Sequence, residues 1–423
     1  MEQLYLKNGL RVIYYQLPHT HSISVSLNIK AGSMYEKAEE NGITHLLEHI
    51  HFRQLGKRNQ DELYYSMECI GTTLMASTYR DLLQFYFKIR PDYLFGGISI
   101  LSDILKPTFW TEDLLKQEKQ VVINQLLEGQ YYYSAEQYAR EIVWKECGLS
   151  QPIIGTMETI EKIRLPDLFA FKNKILTADN ICLIITGSVT KQQIEGINSL
   201  FSSIELPDFA DQQFSLPTIQ FSREPDVKLV ELSWEYLDVV LSFDVNLDVV
   251  TEEELSFLNL IIGDGDGSVL SRTIREKQGY TAEIISYTET YSKKAVMNIK
   301  YTVFVDKFYE CLKHILILLK KAKDNIDDFE MRRNRVFFTD NVWYYLDNPE
   351  DLNYKLCREM FVGNKKDFDL NKQIERFSDI TSEQIIKAAN EIFCSKNVAI
   401  TVLGDMTGLS ERCIQETVIK ILE

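Results

Sequence analysis

Two stretches of the chain repeat one pattern at an offset of about half its length. NICLIITGSVT begins at Asn180, and NVAITVLGDMT begins 217 residues later, at Asn397. Each is an apolar run that ends in Gly-x-x-Thr and follows a helical stretch and a short polar break, so each predicts a buried strand. SVSLNIKAGS near Ser24 and VVLSFDV near Val239 form a second pair. Chance similarity between buried strands is the alternative to a duplication, but two matched pairs favour two homologous α+β halves.

The length and one proline-containing segment place the boundary between these halves. A chain of 423 residues exceeds one ordinary hydrophobic core. The segment IELPDFADQQFSLPTIQFSREPD, residues 204–226, contains three prolines and has no sustained periodicity. The sequence therefore predicts an N-terminal domain over residues 1–205, a linker over 206–226 and a homologous C-terminal domain over 227–423.

Local patterns predict the elements of the first half. Residues 10–16, 22–30 and 83–90 are rich in β-branched and aromatic residues and predict strands. The segment ITHLLEHIHFRQL has apolar residues at helical spacing. Residues 111–146 predict a long helical region that begins at the cap residue Thr111.

Charge and cysteine usage exclude some classes of protein. The formal net charge of −16 argues against non-specific binding to nucleic acid. The N-terminus lacks the pattern of a signal peptide, and no apolar run is long enough for a membrane helix. The seven cysteines are scattered, odd in number and without a CxxC pair. Reduced thiols and a cytoplasmic location are therefore expected.

Half of the six histidines lie within one short segment, THLLEHIHFR, residues 44–53. On a helix, His45 and His49 project from one face, where both imidazoles can bind one zinc ion. Glu48 borders the same face and is placed to act as a base towards a metal-bound water. A surface pair of histidines that binds no metal is the alternative. His51 lies about 200° round the helix from His49 and is read as non-ligating.

These segments resemble the pitrilysin/insulinase family of zinc peptidases, which carry the inverted motif HxxEH. The resemblance covers GITHLLEHIHF and the preceding LKNGLRVIYYQLP and SVSLNIKAGSMYE. It continues through PIIGTMETIEKIRLPDLFAFKNKILTADNICLIITGSVT to GDGDGSVLSRTIREKQGY in the second half. The branch with chains of this length includes mitochondrial processing peptidase and bacterial relatives.

The resemblance implies a fold and a chemistry. Two related α+β domains, each a mainly antiparallel sheet with helices, form a clam-like chamber. His45 and His49 bind zinc, and Glu48 activates water for peptide hydrolysis. A peptide lies along an edge strand near residues 74–81. Met75, Ala76 and Ser77 are the substrate-binding residues there, although the family often has Asn at the position of Met75.

The third zinc ligand departs from the family pattern. The resemblance implies two glutamates seven residues apart on a downstream helix, of which the first supports the site and the second binds zinc. Glu118 matches the first, but Gln125 occupies the second, 76 residues after His49. A neutral amide oxygen is an unusual zinc ligand. Glu118 and Glu128 are the nearest carboxylates that can substitute, and either requires a helix shift.

A second departure lies in the C-terminal half, where the family pairs an arginine with a tyrosine seven residues later to contact the substrate. Arg275 is present, but Ala282 stands at the tyrosine position and the nearest tyrosine is Tyr280. We therefore take Arg275 and Tyr280 as candidate substrate contacts. A solvated charge at a helix end is the alternative role for Arg275.

These observations predict a zinc-dependent endopeptidase that cleaves short or unfolded peptides, including a small peptide precursor. The alternative is a catalytically impaired or peptide-binding subunit of a heterodimer, because the third ligand is Gln125. A scaffold without metal is a third reading, which the intact HxxEH face disfavours. By resemblance, the partner is a second subunit of the same family, as a hetero- or homodimer.

Overall fold

A computed structural model describes residues 1–128, 134–145, 147–207, 225–291 and 294–423. The chain divides into two compact units. The first unit contains Met1–Tyr131, Cys147–Leu216 and Trp343–Phe368, and the second contains Tyr132–Glu146, Pro217–Val342 and Asp369–Glu423. These units differ from two contiguous domains over 1–205 and 227–423, because each includes a short segment from the opposite half of the chain. The predicted linker, 206–226, lies almost entirely outside the described residues.

The elements are numbered in chain order. The strands are β1 (Glu2–Tyr5), β2 (Arg11–Gln16), β3 (Ile23–Ile29), β4 (Gln54–Leu55), β5 (Arg58–Asn59), β6 (Met75–Thr78), β7 (Leu83–Ile89), β8 (Ile181–Gly187), β9 (Asp226–Glu231), β10 (Tyr236–Asn246), β11 (Ile284–Tyr291), β12 (Lys294–Phe304) and β13 (Val398–Gly404). The α-helices are α1 (Ile43–Arg53), α2 (Gln60–Glu68), α3 (Leu94–Ser102), α4 (Glu112–Leu127), α5 (Ala135–Val143), α6 (Met157–Lys162), α7 (Leu165–Ile175), α8 (Lys191–Ser202), α9 (Glu252–Ile262), α10 (Phe308–Asp324), α11 (Asp328–Tyr344), α12 (Pro349–Leu356), α13 (Leu370–Ser378), α14 (Ser382–Ile392) and α15 (Glu411–Leu422).

The sheet of the first unit has the order β1-β2-β8-β3-β7-β6. The β2–β8 pair is parallel, and the other neighbouring pairs are antiparallel. The central strands β3 and β8 are buried along their whole length. Burial on both faces explains the largely apolar sequence of β8, whereas β3 alternates apolar residues with the buried polar residues Ser24, Ser26 and Asn28. β6 lies at one edge of this sheet and pairs with β7 alone.

The sheet of the second unit has the order β11-β12-β10-β13-β9, with one parallel pair, β9–β13. Counted from β6, the first sheet reads β6-β7-β3-β8-β2, so five strands correspond in order and direction. The repeated sequence segments form β8 and β13, and the second pair forms β3 and β10, at equivalent positions. The prediction of two homologous α+β halves with mainly antiparallel sheets is confirmed.

Each unit is completed by a helix from the opposite half of the chain. In the first unit, α12 packs on β3 and β8. The buried Asn353 donates to the carbonyls of Ser24 and Ile184, and its side-chain oxygen accepts from Ser26. In the second unit, α5 packs on β10 and β13, and its Arg140 makes a two-pronged ion pair with Glu289 of β11.

This exchange corrects the predicted helical region over 111–146. α4 ends at Leu127, residues 129–133 lie outside the described ranges, and α5 belongs to the second unit. Sequence periodicity predicts one helical region here and does not show that it contains two helices that pack in different units. Among the described helices, none has an apolar stretch long enough to cross a bilayer.

Candidate metal centre and peptide-binding edge

The helix α1 presents the motif because its opposite face is anchored in the first unit. Leu46, Leu47 and Ile50 are buried, while the other face carries His45, Glu48 and His49. The start of the helix is also fixed. The buried carboxylate of Glu36 accepts hydrogen bonds from the backbone N–H groups of Gly42 and Thr44, at 2.7 and 2.9 Å. Gly42 itself has φ of 92°, which a residue with a Cβ rarely adopts.

The two histidines lie side by side, with ring centroids 4.5 Å apart. Nε2 of His45 lies 3.2 Å from Oε1 of Gln125, so the residue at the third-ligand position reaches the motif. Burial and the neighbouring His49 lower the pKa of His45 to about 4, against the opposing effect of the hydrogen bond that the Gln125 oxygen accepts. His45 is therefore neutral at physiological pH, which is the form of imidazole that binds metals.

Glu118 of α4 orients the second histidine. Its Oε2 lies 3.0 Å from Nδ1 of His49, and its Oε1 accepts from the guanidinium of Arg53. Burial raises the pKa of Glu118, but these two partners outweigh it and hold the pKa below its usual range. The carboxylate is ionised and already shared between two donors. Because it occupies Nδ1, Nε2 of His49 is the nitrogen left for a metal, as in other sites where a carboxylate supports a ligating histidine.

Glu48 connects the motif to the sheet edge. Its carboxylate accepts a hydrogen bond from the hydroxyl of Thr78, the last residue of β6, and lies 3.9 Å from Nδ1 of His45. Burial raises the pKa of Glu48, and the Thr78 hydroxyl and His49 oppose that rise. A buried carboxylate with a raised pKa is a suitable proton acceptor near neutral pH.

The edge strand β6 has backbone groups available for a further strand. The N–H of Tyr79 donates to the carbonyl of Leu82 across the hairpin. Hydrogen bonding alternates along antiparallel strands, so the backbone N–H and C=O groups of Ser77 point to β7. The backbone N–H and C=O groups of Ala76 and Thr78 therefore point to the open edge. The side chain of Thr78 reaches Glu48, so this edge runs directly to the HxxEH face.

Among the described residues, no three His, Cys, Asp or Glu side chains are arranged to hold a metal ion. The donors that do converge are His45, His49 and the amide oxygen of Gln125. Glu118 is engaged with His49 and Arg53, and Glu128 follows the end of α4, where it is exposed. Two imidazoles and an oxygen fit zinc in number and type, but with a neutral third ligand, which predicts a weaker site than a carboxylate gives.

The remaining predicted residues lie elsewhere. Met75 is 37% exposed at the start of β6, beside Ala76 and Ser77. Arg275 and Tyr280 belong to the second unit. There, Arg275 lies 3.3 Å from a carboxylate oxygen of Asp266, and Tyr280 stacks on His314. Their roles as substrate contacts stay predictions.

Two residues of the site were not identified from the sequence. Arg53 binds Glu118, and Thr78 binds Glu48. Arg53 follows His49 by four residues, so helical spacing was a usable signal for it. His51 lies in the core, where its Nδ1 is 2.6 Å from the carbonyl of Leu47 and its ring contacts those of Phe85 and Trp110.

Comparison with known proteins identifies the family. The profile described as "Insulinase (Peptidase family M16)" matches residues 11–157, and "Peptidase M16 inactive domain" matches residues 162–335. A protein of Rickettsia felis named as an uncharacterized zinc protease is 27% identical over 399 residues, which cover 92% of this chain and 94% of that protein. The beta subunit of mitochondrial processing peptidase from Neurospora crassa is 23% identical, covering 96% of this chain and 88% of its own.

A solved structure shares the fold. The crystal structure of a protease from Helicobacter pylori superimposes with a TM-score of 0.84 at 20% identity, covering 95% of this chain and 99% of that one. Together with the two profile matches and the duplicated sheets, this shows that the chain is a member of the peptidase M16, or insulinase, family.

Proposed function

We propose that this protein is a zinc-dependent endopeptidase that cleaves short or unfolded peptides. One observation carries the proposal. The carboxylate of Glu48 lies between the two histidines of the motif and the open edge of β6, where it accepts the Thr78 hydroxyl. A base, a pair of imidazole ligands and a surface for an extended backbone therefore converge at one place.

Substrate binding is assigned to β6. A peptide that adds as a further strand forms main-chain hydrogen bonds with Ala76 and Thr78, whatever its sequence. Such a peptide must be extended, so a folded protein whose backbone is already paired is a poor substrate. The strand ends beside Glu48, which places a peptide bond of the added strand within reach of that carboxylate.

The residues of the chain perform the proton transfers. Glu48 accepts the proton of the attacking water as the new C–O bond forms, and passes it to the amine as the C–N bond breaks. Thr78 holds the carboxylate in place before the reaction. Glu118, itself fixed by Arg53, holds the His49 ring. A zinc ion bound by His45, His49 and Gln125 supplies Lewis-acid chemistry that makes water a better nucleophile at neutral pH.

The partners and location are proposals too. We propose a second subunit of the same family, identical or different, because the Neurospora relative is by name one subunit of a processing peptidase. We also propose a cytoplasmic location, which the scattered, odd-numbered cysteines support. A small peptide precursor fits the requirement for an extended substrate.

The test compares an unstructured, internally quenched fluorescent peptide with a folded protein that contains the same sequence. The purified chain is expected to hydrolyse only the free peptide, and Glu48→Gln is expected to lower turnover by about 10²–10⁴-fold. Glu128→Gln is the matched control, because it makes the same change at an exposed position at the end of α4. Equal turnover in wild type and Glu48→Gln, in an assay with clear signal, removes the proposal.

A second candidate function rests on Gln125 alone. A neutral third ligand favours a chain that binds peptide along β6 but hydrolyses it only weakly, as the impaired subunit of a pair. Zinc per chain, measured by elemental analysis on wild type and Gln125→Glu, separates the two. Near-stoichiometric zinc in the wild type supports the peptidase, whereas zinc that appears only in Gln125→Glu supports the impaired subunit.

A further inference from the structure

Lys172 of α7 is a buried lysine without an acidic partner. It lies in the first unit, where the residue is only 4% exposed. Its Nζ donates to the backbone carbonyl of Lys106 at 2.8 Å and lies 5.2 Å from the ring centroid of Trp110. Among the described residues it makes no ion pair. A buried charge is normally paired, so an amine in this position points to a chemical role for it.

The amine of Lys172 lines a cavity of about 580 Å³, which we call the α7 cavity. Its wall contains apolar side chains from three segments of the chain: Leu105, Phe169, Leu176, Ile204 and Leu206. Lys106, whose carbonyl accepts from the amine, lines the same cavity, so the amine lies at its wall. The volume is in the range of pockets that hold small molecules, and the wall suits a ligand with an apolar body.

The surroundings keep much of this amine neutral. Burial alone lowers the pKa of Lys172 to about 7, because the acidic residue of the cavity, Glu205, is exposed and does not contribute. About half of the Lys172 side chains are therefore neutral at pH 7, against fewer than about one in a thousand for a lysine with its ordinary pKa. Only the neutral amine has a free lone pair, and desolvation in an apolar pocket is a known way to activate a lysine as a nucleophile.

An aldehyde is the electrophile that suits this amine. The lone pair of Nζ attacks the carbonyl carbon and forms an N–C bond. Both N–H protons then leave with the aldehyde oxygen as water, and the C=N bond of a Schiff base remains. One amine and one aldehyde give one imine and one water, so the step needs neither an oxidant nor a reductant.

The contacts of the amine also suit the product. A protonated Schiff base keeps one N–H, which donates to the carbonyl of Lys106 as the amine does, and its positive charge lies near the ring of Trp110. Carbon dioxide would instead form a carbamate anion beside that carbonyl, which is repulsive. The exposed carboxylate of Glu205 likewise disfavours an anionic ligand in the cavity.

We propose that the α7 cavity binds small apolar aldehydes, which Lys172 holds covalently as a Schiff base. The lining of the cavity includes neither the histidines and Gln125 of the candidate metal centre nor any residue of β6. The site is therefore independent of the proposed peptidase activity, and its test uses no peptide hydrolysis.

Reductive trapping on the full chain tests the site. The protein is incubated at pH 7 with benzaldehyde and sodium cyanoborohydride, and the benzylated lysines are quantified by peptide mass spectrometry. Lys172 is expected to react at least about tenfold faster than Lys174, an exposed lysine two residues later on the same helix. With 4-carboxybenzaldehyde this ratio is expected to fall by about tenfold or more, because the carboxylate loses its hydration in the cavity.

A pair of matched variants tests the cavity itself. Ser203→Phe places a ring at an exposed position of the lining and is expected to slow the labelling of Lys172 by about threefold or more. Ser199→Phe makes the same change one turn earlier on α8, outside the lining, and is expected to have no effect. Thermal melting checks the fold of both variants, and the comparison of the two aldehydes on wild type needs no variant.

Three results would overturn the proposal. The first is labelling of Lys172 that is no faster than that of Lys174. The second is a ratio that is equal for the two aldehydes, which would mean that the amine is reached without entering an apolar cavity. The third is labelling of Lys172 that a folded Ser203→Phe leaves unchanged.

Discussion

The support that Glu118 gives to His49 can be removed by a substitution of nearly identical shape. The carboxylate divides its two oxygens, since Oε1 accepts from Arg53 and Oε2 contacts His49. In Glu118→Gln only one acceptor remains, and the amide NH₂ faces one of the two donors. The side chain of Glu118 is only 4% exposed, so water does not replace the lost contact.

The magnitude follows from the lost interaction. A hydrogen bond to a charged group contributes about 1.5–3 kcal/mol. At about 1.4 kcal/mol for each factor of ten, zinc binding is expected to weaken by about 10- to 100-fold. That range agrees with the effect of removing a carboxylate behind a ligating histidine in other metal sites.

A competition titration against a chromophoric zinc chelator measures the change. Glu128→Gln is the control, because it removes an exposed carboxylate beyond the end of the same helix. Both substitutions are also made in the Gln125→Glu background, where a stronger site brings the affinity into an easily measured range. A change of less than twofold in that background, or an equal loss in Glu128→Gln, refutes the reasoning about His49.

Two further predictions concern the sheet edge and a buried lysine. Ala76→Pro removes an outward N–H from β6 without touching the ladder to β7. In the Glu48→Gln background it is expected to weaken peptide binding by about 2- to 12-fold, the value of one hydrogen bond, while Ala76→Val, which keeps the N–H, does not. Fluorescence anisotropy of a labelled unstructured peptide measures the affinity of both variants. Equal affinities of Ala76→Pro and Ala76→Val contradict edge-strand binding. Burial lowers the pKa of Lys172 to about 7, so the folded chain releases a proton that the unfolded chain keeps up to its ordinary pKa of 10.5. This group therefore makes the free energy of unfolding rise with pH above 7, by up to about 1.4 kcal/mol per pH unit, and Lys172→Met is expected to lack that rise. Urea unfolding at pH 7, 8 and 9 measures the free energy of unfolding of wild type, Lys172→Met and the exposed control Lys191→Met. If this free energy has the same pH dependence in Lys172→Met as in wild type, the lowered pKa of Lys172 is wrong.

The sequence predicts the duplicated sheets well, for a physical reason. β8 and β13 are central strands buried along their whole length, so burial fixes nearly every residue type in them. A pattern that is constrained so strongly remains recognisable in both halves. The motif on α1 was also predictable, because helical spacing alone brings His45, Glu48 and His49 to one face.

Other features depend on contacts between distant segments, which spacing does not encode. The exchange of α5 and α12 between the units rests on individual partners, such as the ion pair between Arg140 and Glu289. The bond from Thr78 to Glu48 joins a strand to a helix 30 residues earlier. Local periodicity describes a segment by itself and does not encode which distant segment it contacts.

The duplication also explains why only one half carries the motif. In the second unit α9 follows β10 as α1 follows β3 in the first, so α9 occupies the corresponding place in the chain order. Its sequence, EEELSFLNLII, contains no histidine, and Phe257, Leu258 and Ile261 are buried. A metal site needs a polar helix face that is open to substrate. In α9 these apolar residues instead pack into the core of the second unit. The same scaffold therefore carries the HxxEH motif in one half and a largely buried, apolar helix in the other, in accord with the name of the profile that matches residues 162–335.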